Sequence, residues 1–310
     1  MNPASAQDPT AAAGEALLRA ELAEGAVLRS AIGPVLKQLV ACIDLTAFSE
    51  EVIARTRGQM RSLADQLLRL AVPGNDIRTV QHGETAALAA ALLDQPSIVL
   101  HCHAMALEAR LTERLAGQAA LDPVLSTLLR ARLADPDAEI AELASAVLAA
   151  QARFMQSQRR MDLAPDDLPA DVLHAVLITL GDVCGPPADP IMAAIRARYD
   201  EAHIRHGLLA RLVLQLGPSW PVALDLAGSG VAIFLTALSF ATMRDRAEVL
   251  LALGDGQQAL LATMLSAAGV ERVQIESTMQ LIHPDRGPRS HHLQIDQQLA
   301  HSLLAGEGAP

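Results

Sequence analysis

The sequence predicts an all-α protein, arranged either as a multi-helix α–α array resembling an irregular helical repeat or as two stacked helical bundles. Aromatic residues make up only 2% of the 310 residues, apolar residues make up 51%, and Ala alone accounts for roughly a fifth. Sheets favour aromatic and β-branched side chains, whereas Ala and Leu favour helices. Apolar residues recur three and four positions apart, and no strand-like alternation extends over four or more residues. Short connections between the predicted helices favour antiparallel neighbours.

The N-terminal third contains a predicted disordered tail over residues 1–10, followed by five helical patterns. Within the third pattern, Val52, Met60 and Leu67 lie near one face, and Arg55 is expected outside it. Turn-forming residues with Gly or Pro separate most of the patterns. The helical patterns are Glu15–Ser30, Val35–Ile43, Phe48–Leu70, Glu84–Leu93 and Ile98–Ala116.

Three Asp-Pro pairs predict helix starts in the middle and later parts of the chain, at Asp122, Asp135 and Asp189. An Asp side chain accepts hydrogen bonds from the first N–H groups of a helix, and Pro at the first helical position loses no bond. Further helices are predicted over 137–161 and 167–180. The segment Gly185-Pro-Pro-Ala188 is the clearest internal break. It divides an N-terminal helical array (11–185) from a C-terminal helical bundle (186–284). The remaining residues, 285–310, are expected to form a weakly ordered tail or one helix around Leu293–Leu304.

The most apolar segment, Leu226–Met243, lacks charged residues over a length close to the lower limit for a membrane span. Gly228-Ser-Gly230 interrupts it near its start, and Arg244, Asp245 and Arg246 follow directly. The uninterrupted part is too short to cross a bilayer. We therefore expect a buried core helix and no membrane span.

Charge and cysteine content exclude several function classes. The formal net charge of −11 argues against a nucleic-acid partner, because phosphate contacts need a positive surface. Cys42, Cys102 and Cys184 are widely spaced and odd in number, which disfavours a disulfide framework or a cysteine zinc site. The N-terminus shows no secretory signal pattern. These features predict a cytoplasmic protein.

Several segments together carry a family resemblance. They are Met105–Leu115, Leu121–Leu125, Ala149–Phe154 with Gln158–Met161, Asp167–His174, Leu224–Leu226, Gly230–Leu235 and Ala267–Gly269. This pattern, over about residues 80–285, resembles an uncharacterised all-helical alphaproteobacterial family, a domain of unknown function. The resemblance implies a helical fold and a bacterial cytosolic setting. It implies no reaction, cofactor or catalytic residue.

Two Asp-x-x-His pairs are the candidate metal ligands. Asp171 and His174, and likewise Asp200 and His203, stand three positions apart, so each pair would share a helix face. Helical bundles hold di-metal sites with similar Glu-x-x-His pairs, but here further carboxylates are not evident. We expect core or solvated residues rather than a metal site, and no cofactor.

Other histidines are also weak metal candidates. On a helix, His101 and His103 point about 200° apart and cannot share one ion, while Cys102 is expected to face inward. His203 and His206 have a better spacing but lack a further ligand. His291 and His292 fall in the predicted tail, where a solvent-exposed pair is expected.

Arg153, Arg159 and Arg160 form a candidate binding patch near the end of the predicted helix 137–161. Arg side chains bind carboxylates and phosphates through two parallel hydrogen bonds, so the patch would bind an anion or a partner. Alternatively, these cations complement the negative helix C-terminus in solvent.

The absence of nucleotide, hydrolase and metalloprotease motifs favours a non-enzymatic function. The leading hypothesis is a protein-interaction or regulatory protein that presents a helical surface to another protein; a homo-oligomer is compatible with it. One alternative is a binder of an apolar small molecule or cofactor beside Ala227, Gly228 and Gly230. Another is a metal-binding helical-bundle enzyme that uses the Asp and His residues named above.

Overall fold

A computed structural model describes residues 9–41, 50–71 and 82–307 of the chain. In these ranges the protein is helical, without strands, and the all-α prediction is confirmed. The α-helices are α1 Pro9–Ala41, α2 Glu50–Ala71, α3 His82–Leu93, α4 Pro96–Ala119, α5 Thr127–Leu133, α6 Ala138–Arg160, α7 Ala170–Cys184, α8 Asp189–Arg198, α9 Arg205–Gln215, α10 Leu226–Thr242, α11 Arg246–Ala252, α12 Gln258–Ala267, α13 Arg272–Ile282 and α14 Gln297–Glu307. Short 3₁₀ helices are Pro165–Asp167, Pro186–Ala188, Glu201–His203, Gly217–Leu224 and Ser290–Gln294.

The N-terminal helix differs from the sequence prediction. Residues 1–8 of the predicted tail and the end of the Val35–Ile43 pattern lie outside the described residues, whereas Pro9 and Thr10 already belong to α1. The two separate helices expected around Gly33-Pro34 are one continuous helix. A proline inside a helix removes one backbone hydrogen bond, and the rest of the helix can continue beyond it.

The buried side chains form two hydrophobic clusters that α4 and α6 join. The first gathers α1, α5, α9–α14 and the C-terminal half of α4. The second gathers α2, α3, α7, α8 and the N-terminal half of α4. In α6, Val147 contributes to the first cluster and Phe154 to the second, as the predicted apolar stripe requires.

The predicted division at residue 186 does not coincide with the border between these clusters. Leu180 before the break and Ala188 and Ile195 after it belong to the same cluster. Gly185 adopts a φ of +65°, so the chain turns sharply while both sides remain packed together.

The Asp-Pro signals mark turns more often than helix starts. Helix α5 begins after Ser126, whose hydroxyl accepts from the backbone N–H of Leu129 at 3.2 Å, and α6 begins after Asp137. Asp122 instead accepts from two backbone N–H groups of the preceding turn. The start predicted at Asp122 was therefore displaced along the chain, because the hydroxyl of Ser126 stands nearer helix α5. The helix predicted over 137–161 after the pair at Asp135 matches α6. Only Asp189 of the three lies at the start of a helix, α8.

Helix α10 lies in the core, as predicted for the apolar segment. Its residues from Val231 to Leu238 are buried, whereas Met243 beyond its end is 92% exposed. Gly230 has φ +74° and ψ 166°, which kinks the helix near its start. Over the described ranges, no single helix has both the length and the apolar composition to cross a membrane. Two pairs of consecutive helices meet both criteria when the two helices are taken together, but the helices within these pairs are bent relative to each other by 93° and 110°.

The C-terminal residues, expected to be weakly ordered or to form one helix around Leu293–Leu304, include the packed helix α14. Helix α14 packs against α12, and its side chains Ala300, Leu303 and Leu304 are buried. The preceding 3₁₀ helix Ser290–Gln294 packs against α1 and α12. The C-terminal segment is thus joined to the N-terminal helix.

Candidate functional site

A groove with a volume of about 180 Å³ lies between α4 and α11. On the α4 side, residues spaced three and four apart share one face and alternate in character. Leu107 and Leu111 give this wall its apolar surface, and Arg110 and Arg114 stand beside them. The groove therefore combines an apolar lining with two cations.

The opposite wall comes from the short helix α11 and the turn that follows it. Leu250, Leu251, Leu253, Gly254 and Asp255 line this side of the groove. This wall is short because the chain leaves the helix at Leu253, within a segment rich in Gly.

The groove cations differ in their surroundings. Arg110 is exposed, whereas Arg114 donates from Nη2 to the carbonyl oxygen of Ile282 at 3.0 Å. Its buried Nε atom has no hydrogen-bond partner among the described residues. Asp255 is 79% exposed and lies 3.4 Å from Nδ1 of the buried His283. Burial lowers the pKa of His283.

A buried ionic network beside the groove connects α4 with the start of α11. The side chain of Glu108 is only 3% exposed. It accepts hydrogen bonds from Arg205 of α9 and, at 2.7 Å, from Nη2 of Arg246 at the start of α11. Burial alone would raise the pKa of Glu108, but Arg205 and Arg246 lower it to about 2. The carboxylate is therefore charged at neutral pH and holds α11 against α4.

Arg205 is held from two further directions. Its Nε donates to Gln151 at 2.8 Å, and its guanidinium lies 3.7 Å from the ring centre of Phe154, a cation–π geometry. His101 and His206 pack edge to face beside it, with ring centres 5.8 Å apart. Burial lowers the pKa of both histidines, in His101 to about 4, so they add no further positive charge near the arginines at neutral pH.

The arginines predicted to form one patch are only partly brought together. Arg153 and Arg160 are exposed, and their spacing of two helical turns puts them on the same side of α6. Arg159 points towards α4 and lies 3.7 Å from Glu113. Arg153 also lines a cleft of about 40 Å³ together with Asp167 and other polar side chains. A space of this size corresponds to a few water molecules.

The predicted metal ligands do not converge. Asp171 and His174 are exposed on α7. Asp200 is instead the N-cap of a 3₁₀ helix, and its carboxylate lies 2.7 Å from Nδ1 of His203. The hydrogen bond from His203 lowers the pKa of Asp200. Within the described residues, these four side chains form no group of three ligands close enough for one ion.

The expectation that Arg55 lies outside the apolar face was wrong, and the burial of His103 was not predicted. His103 is buried beside Cys102, and burial lowers its pKa to about 4. Arg55 is 7% exposed rather than solvated, because it pairs with Glu51 at 2.6 Å and with Glu113 of α4 at 2.7 Å. Cys102 faces inward as expected, whereas Cys42 lies outside the described residues.

The cavity beside Gly230 is small. Its volume is about 30 Å³, and Ser229 and Val231 are among its lining residues. Small-molecule sites usually have several hundred Å³, so this space has room for about one or two water molecules. The geometry gives no support to an apolar ligand at this position.

Sequence reasoning did not single out the groove residues, although one signal was present. The run from Met105 to Leu115 repeats Arg at an interval of four beside Leu at the same interval, which places a cationic row next to an apolar row. The α11 wall is far from α4 in the sequence and shows no comparable pattern of Arg and Leu. Comparisons of the chain with protein-family models, curated proteins and solved structures found no match.

Proposed function

We propose that the chain is a non-enzymatic protein-interaction or regulatory protein that binds a helical segment of a partner protein in the groove between α4 and α11. The observation that carries this proposal is the combination of leucines on both groove walls with Arg110 and Arg114 beside them. An amphipathic helix buries its apolar face in such a groove through residues spaced three and four apart.

The charges favour an acidic partner segment. The chain carries a net charge of −11, so two arginines beside an apolar surface are a local departure from its overall charge. Arginine binds carboxylates through paired hydrogen bonds, and such pairs orient a partner more than they add affinity. We therefore expect Asp or Glu along the edge of the partner helix that faces α4.

The dimensions favour a protein partner over a small molecule. A volume of about 180 Å³ lies below the usual range of small-molecule pockets, but it accommodates apolar anchor side chains from a helix on the surface. The groove lining offers apolar surface, two cations and the carboxylate of Asp255, and its residues include no nucleophile paired with a base. The Glu108 network supports binding by holding the two walls at a fixed spacing.

Site-specific photo-crosslinking in the native host tests this proposal. A photoreactive residue replaces Leu251 in the groove, and a matched control carries it at Val273, which is 77% exposed on α13. We expect a discrete heteromeric product from position 251 and not from position 273. A product that contains only two copies of this chain, or equal products from both positions, would refute the proposal.

Charge reversal adds a second criterion with the crosslinked partner. Arg110→Glu should weaken binding of that partner by about tenfold or more, because it places an acid opposite the expected acids. Arg196→Glu changes the net charge equally on the exposed face of α8 and should leave binding unchanged. Equal effects of both changes would indicate that general charge, and not the groove, controls association.

A further inference from the structure

Three side chains meet where α1 packs against the 3₁₀ helix Ser290–Gln294. Nε2 of His292 lies 2.6 Å from one oxygen of Glu21, and Nε2 of His291 lies 3.2 Å from the other. The imidazole rings stand edge to face, with centres 4.4 Å apart. The Nε2 atoms of two adjacent histidines near the C-terminus therefore both contact one carboxylate in the N-terminal helix.

This arrangement corrects the expectation of a solvent-exposed histidine pair. The side chain of His292 is 3% exposed, and that of His291 is 15% exposed. The 3₁₀ helix turns both rings towards α1, where Glu21 supplies the acceptor. Glu21 itself is partly exposed, so one side of the cluster remains open to solvent.

The three groups match the chemistry of a zinc site. Two imidazole nitrogens and one carboxylate oxygen are a known ligand set for Zn²⁺, with a water molecule in the remaining position. Metal–ligand bonds of about 2.0–2.2 Å place tetrahedral ligands roughly 3.3 Å apart. In the structure the three ligand atoms lie within 4.8 Å of one another, so rotations of the side chains suffice to close the site. Among the described residues, this is the one group of three potential ligands that meets that distance.

We propose that Glu21, His291 and His292 bind one Zn²⁺ ion, which fastens the segment before α14 to α1. The imidazoles bind through Nε2 as neutral rings and keep their remaining hydrogen on Nδ1. In His292, a hydrogen on Nδ1 prevents this atom from accepting the weak 3.4 Å hydrogen bond from the backbone N–H of Arg289, so that contact is lost. The guanidinium of Arg289, which donates to Glu21, leaves that carboxylate when the ion enters.

The role of Arg289 distinguishes a metal site from a purely structural cluster. Its side chain is 69% exposed and competes with the ion for the same carboxylate oxygen. Replacing Arg289 by Ala removes the competitor and should tighten Zn²⁺ binding. If the cluster is only a set of hydrogen bonds between α1 and the C-terminal segment, the same change weakens it and creates no affinity for metal.

The experiment uses tag-free, full-length protein that has been treated with chelator and dialysed. Titration with ZnCl₂ in a calorimeter should give one equivalent per chain, and the melting temperature should rise with added zinc. Glu21→Gln and His291→Ala should each lower the affinity by about tenfold or more, whereas Arg289→Ala should raise it. His301→Ala, at an exposed position of α14, is the matched histidine control and should keep wild-type affinity.

Replacing zinc by Co²⁺ provides a readout that does not depend on stability. A tetrahedral site with histidine ligands should give visible absorption, which should be lost in His291→Ala even if that variant folds less stably. No binding by the wild type, or full binding by both His291→Ala and Glu21→Gln, would refute the site. Loss of affinity in Arg289→Ala would also contradict it.

Discussion

Arg246, the first residue of α11, donates a 2.7 Å hydrogen bond to Glu108 of α4, although the two residues are 138 positions apart. The same carboxylate accepts from Arg205. Because α4 and α11 are the walls of the proposed binding groove, the buried carboxylate of Glu108 both stabilises the protein interior and fixes the distance between the groove walls. Changes to this acid should therefore affect both stability and partner binding.

Replacing Glu108 by Gln should lower the free energy of unfolding by about 3–5 kcal/mol. The amide keeps the size of the side chain but leaves Arg205 and Arg246 as buried cations without a compensating charge, and breaking one partner of a buried pair has a cost of this order. Urea unfolding at neutral pH measures the change. Glu142→Gln, on the exposed face of α6, should change stability by less than about 0.5 kcal/mol. Similar values for the two variants would show that the network does not stabilise the fold.

Stability should decrease as the pH falls from about 6.5 to about 4. Burial lowers the folded-state pKa of His101 and His103 to about 4, so below pH 6.5 the unfolded chain takes up protons that the folded protein does not. In the steep part of this range each histidine contributes about 1.4 kcal/mol per pH unit. The contribution of Glu108 has the same sign but lies lower, between its ordinary pKa of 4.5 and about 2.

Urea unfolding at a series of pH values checks this dependence, with His103→Leu as the test variant. Leu cannot take up a proton in either state, so the slope between pH 6.5 and 4 should become shallower than in the wild type. The loss of stability below pH 4, which depends on Glu108, should remain in this variant. An unchanged slope in the variant would contradict the assignment to His103.

Gly230→Ala should destabilise the protein by about 1–3 kcal/mol. The φ of +74° and ψ of 166° at this position belong to a region that is essentially restricted to glycine, and an added Cβ would lie 3.2 Å from the Cβ of Ser126. Gly117→Ala is the matched control near the end of α4, where an added Cβ meets nothing within 4 Å. There, Ala should stabilise by up to about 1 kcal/mol because of its higher helix propensity. Thermal unfolding of both variants gives the comparison; two shifts of the same sign would contradict this account.

The sequence was sufficient for the fold class and for most of the helical core because these depend on local periodicity. Val147 and Phe154 recur on one side of α6, and both are buried. The buried ion pairs were not predictable in this way. A charged residue such as Arg55 is expected outside the core from the sequence alone, and only the approach of α4 brings Glu113 to it. His292 likewise follows no periodic pattern, and its burial depends on α1, which is separated from it by most of the chain.

Asp225 caps helix α10, a role that the sequence pattern did not assign to it. Its carboxylate accepts from the backbone N–H groups of Ala227 and Gly228, each at 3.2 Å, at the first turn of α10. Asp225→Ala should therefore lower the free energy of unfolding by about 1 kcal/mol, because these donors lose their partner. Asp245 occupies the same position before α11 but makes no capping hydrogen bond through its side chain. Asp245→Ala should change stability by less than about 0.5 kcal/mol. Chemical unfolding of both variants under identical conditions measures the difference, and a larger loss in Asp245→Ala would contradict the importance of the Asp225 cap.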